Sequence, residues 1–401
     1  MTTPERVFAY RAETALKKDV RGPLSGLKIA VQPNLAVCDW PQDAGSKALE
    51  KFTSLENAAV VNRLLNAGAE IAGTVFMGEL GFGLVGDTAA GALESGGCDA
   101  VIMNDTFGEP RYVSVESGGV AVKPSFGICS RLGLNGLVPS MESPSVIAAD
   151  IKTAGKIAAS MAGVEEADFS MLKEGIPDFA ELFSESPSAK SAGVISEAVN
   201  LLNKDETAAF HAAVQRLKDA GVAVKEISFP DFELFRKVHN VVGSVEASSS
   251  AGKYDGVRYG HRASGTDNWN EMYIKSREES FGTLVKAYLF QGGYFQYENY
   301  PAFEDACRLR RKLVEELNSL FEDLDLLLLP VRKTGEDVRS ATKVNDIYDA
   351  FAMTCGANVA GLPAVSMRIP GADLEHDPGI QIFGAHGDDV RIINSAVRLG
   401  G

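Results

Sequence analysis

Residues 27–77 read LKIAVQPNLAVCDWPQDAGSKALEKFTSLENAAVVNRLLNAGAEIAGTVFM. The run from Leu27 to Leu35 has the apolar, β-branched character of a buried strand. The segment ENAAVVNRLLNAGAEI (Glu56–Ile71) places Ala58, Val61, Leu64 and Leu65 on one helical face and stops at Ala67-Gly68, a common helix end. Ile71 to Met77 reads as a second strand, and DAVIMND (Asp99–Asp105) as a third. Strand, helix and strand in such short succession predict an α/β fold with a parallel or mixed sheet.

The same grammar continues outward. A helical connection is expected from Val146 to Ala162, then a strand in KSAGVISEAV (Lys190–Val199), and a helix from Asp205 that Gly221 ends before the strand VAVKEISF. Residues 234–320 are polar and rich in Tyr and Phe, and predict mainly helical cover on the sheet. DLDLLLLP (Asp323–Pro330) and GIQIFG (Gly379–Gly384) are late buried strands, and Asp388 to Leu399 is a closing helix. Strands at both ends of the chain point to one domain over residues 1–401, a mixed β-sheet core with helices on both faces. Residues 1–21 are expected as an N-terminal helical segment. The best linker candidates are Glu185–Ala192 and Gly371–Pro378.

Composition narrows the functional classes. With 39 basic and 54 acidic side chains in 401 residues, the net charge is −15, and 45% of the chain is hydrophobic. That describes a globular protein, and the surplus of acid argues against direct contact with nucleic acid or an anionic membrane. The longest apolar run, Leu324 to Val331, falls well short of the roughly 20 residues of a membrane span. The start, MTTPERVFAYRAE, has no signal-peptide core, so a cytoplasmic location is expected. Five scattered cysteines form no C-x-x-C pair, and five histidines form no i, i+4 pair; no metal site and no cofactor is expected.

Two glycine-rich stretches invite chemistry. GFGLVG (Gly81–Gly86) matches G-x-G-x-x-G after a strand, but the following DTAAGALESGG is a poor helix, so a plain glycine-rich loop is the better reading. NDTFGEPRYVSVESGGVAVKPSFGICSRLGLNG (Asn104–Gly136) suggests a strand delivering exposed amides, a Gly-Gly close approach, and a second strand. Backbone N–H groups converge where side chains are small, which is how oxyanion holes and ligand clamps are built.

The second stretch resembles the core of the amidase signature family, whose usual form runs G-G-S-S-G-G-S, D-T-G-G-S and G-L-K-P-T-x-G. GPLSGLKIAV (Gly22–Val31), ANVAGLPAVSM and GIQIFG extend the resemblance over almost the whole chain. Within the family, SKALEKF (Ser46–Phe52), EASSSAGKYDGVRYGHRA (Glu246–Ala263) and SREESFG (Ser276–Gly282) resemble the A subunits of tRNA-dependent glutamyl/aspartyl amidotransferases. The resemblance implies amide hydrolysis by a Ser–Ser–Lys triad. Residue by residue the triad is degenerate: the lysine of A-V-K-D-N is Gln32 in AVQPN, the nucleophile of D-T-G-G-S is Glu109 in DTFGE, and the serine-bearing loop is shortened near Gly83–Gly86 with no bridging serine. Phe107 stands where the family has glycine. Arg310 matches the arginine that holds the glutamine carboxylate, while the acid expected for the amine is replaced by Phe351. The 401 residues look short for the family, and the missing loop accounts for part of that.

These departures predict a non-catalytic pseudoenzyme that binds a ligand or partner. Asp105, Thr106, Gly108, Glu109, Arg111 and Arg310 are the ligand-binding candidates. The ligand would be a small carboxamide or amino acid, and the protein partner one resembling the B subunit of an amidotransferase. The alternative is an active amidase or glutaminase-type subunit working on a carboxamide through other residues. A third reading clusters Glu109, Asp105 and Glu142 for acid/base or metal chemistry. Against it, Arg111 lies two residues from Glu109, and a structural ion pair between them is the simpler expectation.

Overall fold

The computed structural model describes residues 7–184, 189–335, 337–369, 371–373 and 375–400. Eleven strands form one mixed sheet: β1 (Phe8–Leu16), β2 (Lys28–Val31), β3 (Glu70–Val75), β4 (Ala100–Asp105), β5 (Val120–Lys123), β6 (Ser143–Ala148), β7 (Ser191–Ile195), β8 (Ala223–Ile227), β9 (Leu326–Leu329), β10 (Ala364–Met367) and β11 (Ile380–Phe383). Their order across the sheet is β1-β3-β2-β4-β6-β5-β10-β11-β9-β7-β8. β2 runs parallel to β3 and β4, and β7 parallel to β8 and β9; the pairs from β4 through β6, β5, β10 and β11 to β9 are antiparallel.

The central strands are buried on both faces, which is why they read as continuous apolar runs. In β9, Leu327 and Leu329 enter one hydrophobic cluster while Leu326 and Leu328 enter the other. In β4, Val101 and Met103 likewise face opposite to Ala100 and Ile102. Helices Ala59–Asn66, Ile151–Met161, Lys204–Asp219 and Asp389–Gly400 supply Leu64, Ile157, Phe210 and Ile393 to the second cluster. Helices Glu109–Ser117, Leu234–Ser250 and Thr283–Tyr297 supply Val113, Phe235 and Tyr288 to the first, to which Phe107 also belongs.

Several expectations are corrected. Residues 8–16 are the edge strand β1, not part of an N-terminal helix: burial alternates from Phe8 onward and the strand pairs antiparallel with β3. Residues 1–6 lie outside the described residues. The connection expected as a helix from Val146 opens with strand residues of β6, because Asp150 caps the helix by accepting from the backbone N–H groups of Lys152 and Thr153. Between the two strands of the 104–136 stretch lies a helix, Glu109–Ser117, with proline in its first turn. Of the linker candidates, 185–188 and 374 lie outside the described residues, Ser191 and Ala192 belong to β7, and 371–378 joins two neighbouring strands of the same sheet.

Candidate functional site

β4 ends at Asp105 and delivers the turn Thr106-Phe107-Gly108 to the first turn of the helix Glu109–Ser117. All of these residues are buried. The backbone N–H groups of Thr106, Phe107 and Gly108 converge, and they converge on the Glu109 side chain: Oε2 accepts all three, at 2.9, 2.8 and 3.2 Å. Oε1 is buried without a hydrogen-bond partner. Burial, with the neighbouring Asp105 charge, pushes the Glu109 carboxyl up to about 8. Gly108 has φ +121°, and a Cβ there would stand 2.3 Å from the Thr354 side chain, whose Oγ1 donates to the Phe107 carbonyl.

The expected Arg111–Glu109 pair does not form. Helix geometry turns Arg111 back toward β4, where its guanidinium grips Asp105 with Nε at 2.9 Å from Oδ2 and Nη2 at 3.0 Å from Oδ1. The remaining donors reach the Thr354 carbonyl, Gln381 Oε1 and Asn358 Oδ1. Burial opposes ionisation of Asp105, but the Arg111 charge and its hydrogen bonds outweigh it and hold the carboxyl below the ordinary range. The expected acid cluster is dispersed in the same way. Glu142 pairs with Arg131 and accepts from Asn104 Nδ2 and the Leu137 and Val138 N–H groups. Among the described residues no group of three His, Cys, Asp or Glu side chains is placed to hold a metal.

Gln32 lies beside this turn. Its Oε1 accepts the Asn104 N–H at 2.9 Å, and its Nε2 donates to Asp87 Oδ2 at 3.1 Å. Asn104 Nδ2 in turn donates to Thr106 Oγ1. Burial pushes the Asp87 carboxyl up to about 6. Gln32 is therefore fastened at both ends of its amide. The loop near Gly83 sends Phe82 and Leu84 into the core.

Arg310 is held by other groups. It donates to Ser140 Oγ at 2.7 Å, the Ser140 carbonyl at 3.0 Å and the Val359 carbonyl at 3.1 Å, and Ser140 is also held by Glu246. Phe351 packs against Phe107 and Tyr112.

Sequence reading missed the groups that close the site. Phe107 packs against Phe82, His239 and Tyr348. His239 Nε2 lies 2.9 Å from the Thr106 carbonyl and Nδ1 3.0 Å from the Tyr348 hydroxyl, which is 2.8 Å from the Tyr288 hydroxyl. Burial pulls His239 down to about 4, so the ring is neutral, donates from Nε2 and accepts from Tyr348. His239, Tyr288, Tyr348, Thr354 and Asn358 come from four helices and a turn, and no local motif marks them. The rings of Phe82, Phe107, His239, Tyr288 and Tyr348 pack together beside the turn.

The three segments that resemble amidotransferase A subunits also meet. Glu79 accepts from Ser46 Oγ and the Gly282 N–H, His261 N–H donates to the Lys47 carbonyl, and Ala263 N–H donates to Ser276 Oγ. Phe52 and Tyr259 rings lie 5.5 Å apart.

Known proteins share this architecture. The A subunit of the glutamyl-tRNA(Gln) amidotransferase from Natronomonas pharaonis is 28% identical over 423 residues, covering 98% of this chain and 99% of the relative. Its counterpart from Pediococcus pentosaceus is 30% identical over 392 residues, covering 90% and 79%. The chain spans nearly the whole of the first relative but 79% of the second, so it is short against some members of the family and not against others. The solved A subunit of the glutamyl-tRNA(Gln) amidotransferase from Thermotoga maritima superposes with a TM-score of 0.79 at 21% identity, covering 97% of this chain and 86% of that one. The 6-aminohexanoate cyclic dimer hydrolase gives 0.75 at 18%, covering 95% and 85%. The amidase family model matches residues 5–92 and 117–393, and the stretch it leaves out, 93–116, holds β4 and the Glu109 turn. A match on both sides of that stretch, over most of the chain, means that this protein belongs to the amidase family.

Proposed function

We propose that this chain is a non-hydrolytic member of the family, kept as a binding subunit. The observation that carries the reading is the Glu109 carboxyl group, whose Oε2 is seated on the N–H groups of Thr106, Phe107 and Gly108. Acyl transfer needs such donors free for the developing oxyanion, a nucleophile beside them, and a base within reach. Here a carboxyl oxygen of the protein's own already occupies the donors. A carboxylate nucleophile would give a mixed anhydride, which is more reactive than the amide it came from. Gln32, read as standing at the lysine position, is an amide fastened to Asp87 and Asn104 and has no basic lone pair to offer. Arg310, read as the carboxylate-binding arginine, is engaged by Ser140 and Val359.

On this reading the partner is a protein resembling the B subunit of an amidotransferase, through which any tRNA contact runs. Support comes from the relatives named as amidotransferase A subunits and from the meeting of the three A-subunit-like segments on one face. The test is ammonia release from glutamine, asparagine and simple amides by the purified chain, alone and with its co-purifying neighbours. No release is expected. Ammonia release that Glu109→Gln abolishes overturns the proposal.

One observation favours the second reading, an active amidase working through other residues. Glu109 Oε1 is unpartnered and the carboxyl is raised to about 8, the state of a general acid near neutral pH. The same assay separates the two readings, since this one requires turnover that falls as Glu109 loses its proton.

A further inference from the structure

Three arginines from separate segments meet at the C-terminal end of the helix Glu109–Ser117. Arg339 Nη1 donates to both Glu116 carboxylate oxygens, at 2.6 and 2.7 Å, and Arg332 Nη1 lies 3.8 Å from the same Oε1. Arg368 donates from Nε to the Val115 carbonyl at 2.9 Å and from Nη2 to the Glu116 carbonyl, which satisfies the helix end. Asp377 joins the group, its Oδ2 3.9 Å from Arg368 Nε; burial pushes its carboxyl up, and Arg332 and Arg368 both pull it back. Asp87 offers Arg339 its backbone carbonyl, while its carboxyl is turned to Gln32 and the Ala89 N–H. Three guanidiniums thus share two carboxylates.

Arg332 is the member left over. Its side chain is 16% exposed, yet among the described residues it makes no hydrogen bond, and its Nε is fully buried without a partner. A guanidinium so far out of water is ordinarily hydrogen-bonded, because leaving its donors unmet is costly. The Tyr112 ring covers one face, with Cζ 5.2 Å from the ring centroid, so the in-plane N–H edge is what remains to bind. Arg339 Nη2 and Arg368 Nη1 likewise carry no hydrogen bond among the described residues.

We infer that this cluster binds the phosphate group of a small molecule. An oxyanion fits because its oxygens accept from guanidinium edges in pairs, and three positive charges against two carboxylates leave one uncompensated. Phosphate fits better than a carboxylate, since the open donors belong to three side chains and outnumber what two oxygens can meet. A small ligand fits and a nucleic acid does not, because a polyanion would meet the repulsion of a chain at −15.

Isothermal titration calorimetry of the full chain with inorganic phosphate, at ionic strength held constant with sodium chloride, tests this. Saturable binding of one phosphate per chain is expected. Arg332→Gln and Arg332→Lys are expected to weaken it by about tenfold or more, the second because lysine keeps the charge but not the fork. Circular dichroism verifies that both variants fold. Arg311→Gln, at an exposed arginine on the helix Tyr300–Ser319, leaves binding unchanged. No saturable heat in the wild type overturns the proposal, as does phosphate binding that both Arg332 variants retain in full. Acetate that binds as tightly as phosphate overturns the choice of phosphate.

Discussion

Glu109 Oε2 accepts the backbone N–H of Phe107 at 2.8 Å, and the same oxygen takes the N–H groups on either side. The turn that leads into the helix Glu109–Ser117 thus has its converging donors taken up by the helix's own first side chain. Such groups are otherwise free for a ligand anion.

The charge state of Glu109 makes stability depend on pH. Its carboxyl is raised from an ordinary 4.5 to about 8, so the folded protein favours the protonated form. The contribution is fully present below about 4.5, declines as pH rises, and is lost above about 8. Glu109→Gln keeps an oxygen on the three amides and removes the titration. Urea unfolding at several pH values is expected to show the variant gaining on wild type between those limits, by at most about 1.4 kcal/mol per pH unit. Taking the difference cancels His239, whose lowered value gives an opposite slope on the acid side. A difference that stays flat with pH contradicts the assignment.

Restoring side chains alone is expected not to restore hydrolysis. In Gln32→Lys/Glu109→Ser the loop near Gly83 still lacks a serine, and Phe107 still packs into the aromatic cluster. Removing Gln32 Oε1 also leaves the buried Asn104 N–H without its acceptor, a loss of about 1–3 kcal/mol. Ammonia release from glutamine by the double variant, measured against wild type, checks this; turnover above background shows that the loop matters less than argued.

Arg111 is expected to be the most costly single side chain to remove near the turn. Arg111→Leu strands the fully buried Asp105 without its counter-charge, at about 3–5 kcal/mol. Lysine cannot reproduce the fork that reaches Asp105, Thr354, Gln381 and Asn358, so Arg111→Lys recovers little. Chemical denaturation of the two variants decides, and near-wild-type stability in Arg111→Lys refutes the role of the fork.

Gly108→Ala is expected to destabilise by about 1–3 kcal/mol or more. The new methyl meets Thr354 at 2.3 Å on a backbone at φ +121°. Pairing it with Thr354→Ser relieves only part of the overlap, since the Thr354 Oγ1 contact remains. Melting temperatures of the single and double variants measure both effects.

How much of this was legible in the chain varies with the distance over which each feature is built. The doubly buried strands were readable because side-chain alternation into two apolar faces leaves an unbroken run, as in Leu326–Leu329. The edge strand β1 was not, since half of its residues face water and its polar alternation carries little signal without its partner β3. The departures proposed at Gln32 and Glu109 rest on motif flanks alone, as substitutions in otherwise matching text.

Residue type and spacing therefore settled the α/β class and the family, and pointed to Gln32 and Glu109 as the positions on which the proposed loss of chemistry rests. They left open where each charge would be neutralised. Two residues of sequence separate Arg111 from Glu109, yet Arg111 binds Asp105 and groups 243, 247 and 270 residues away, because helix direction aims it back at the sheet. Glu109, left without that cation, turns onto three backbone N–H groups whose convergence depends on a positive φ at Gly108 and on Thr354 packed against it. Hydrogen bonds and ion pairs act over a few ångströms in space, so folding, and not nearness along the chain, chose these partners.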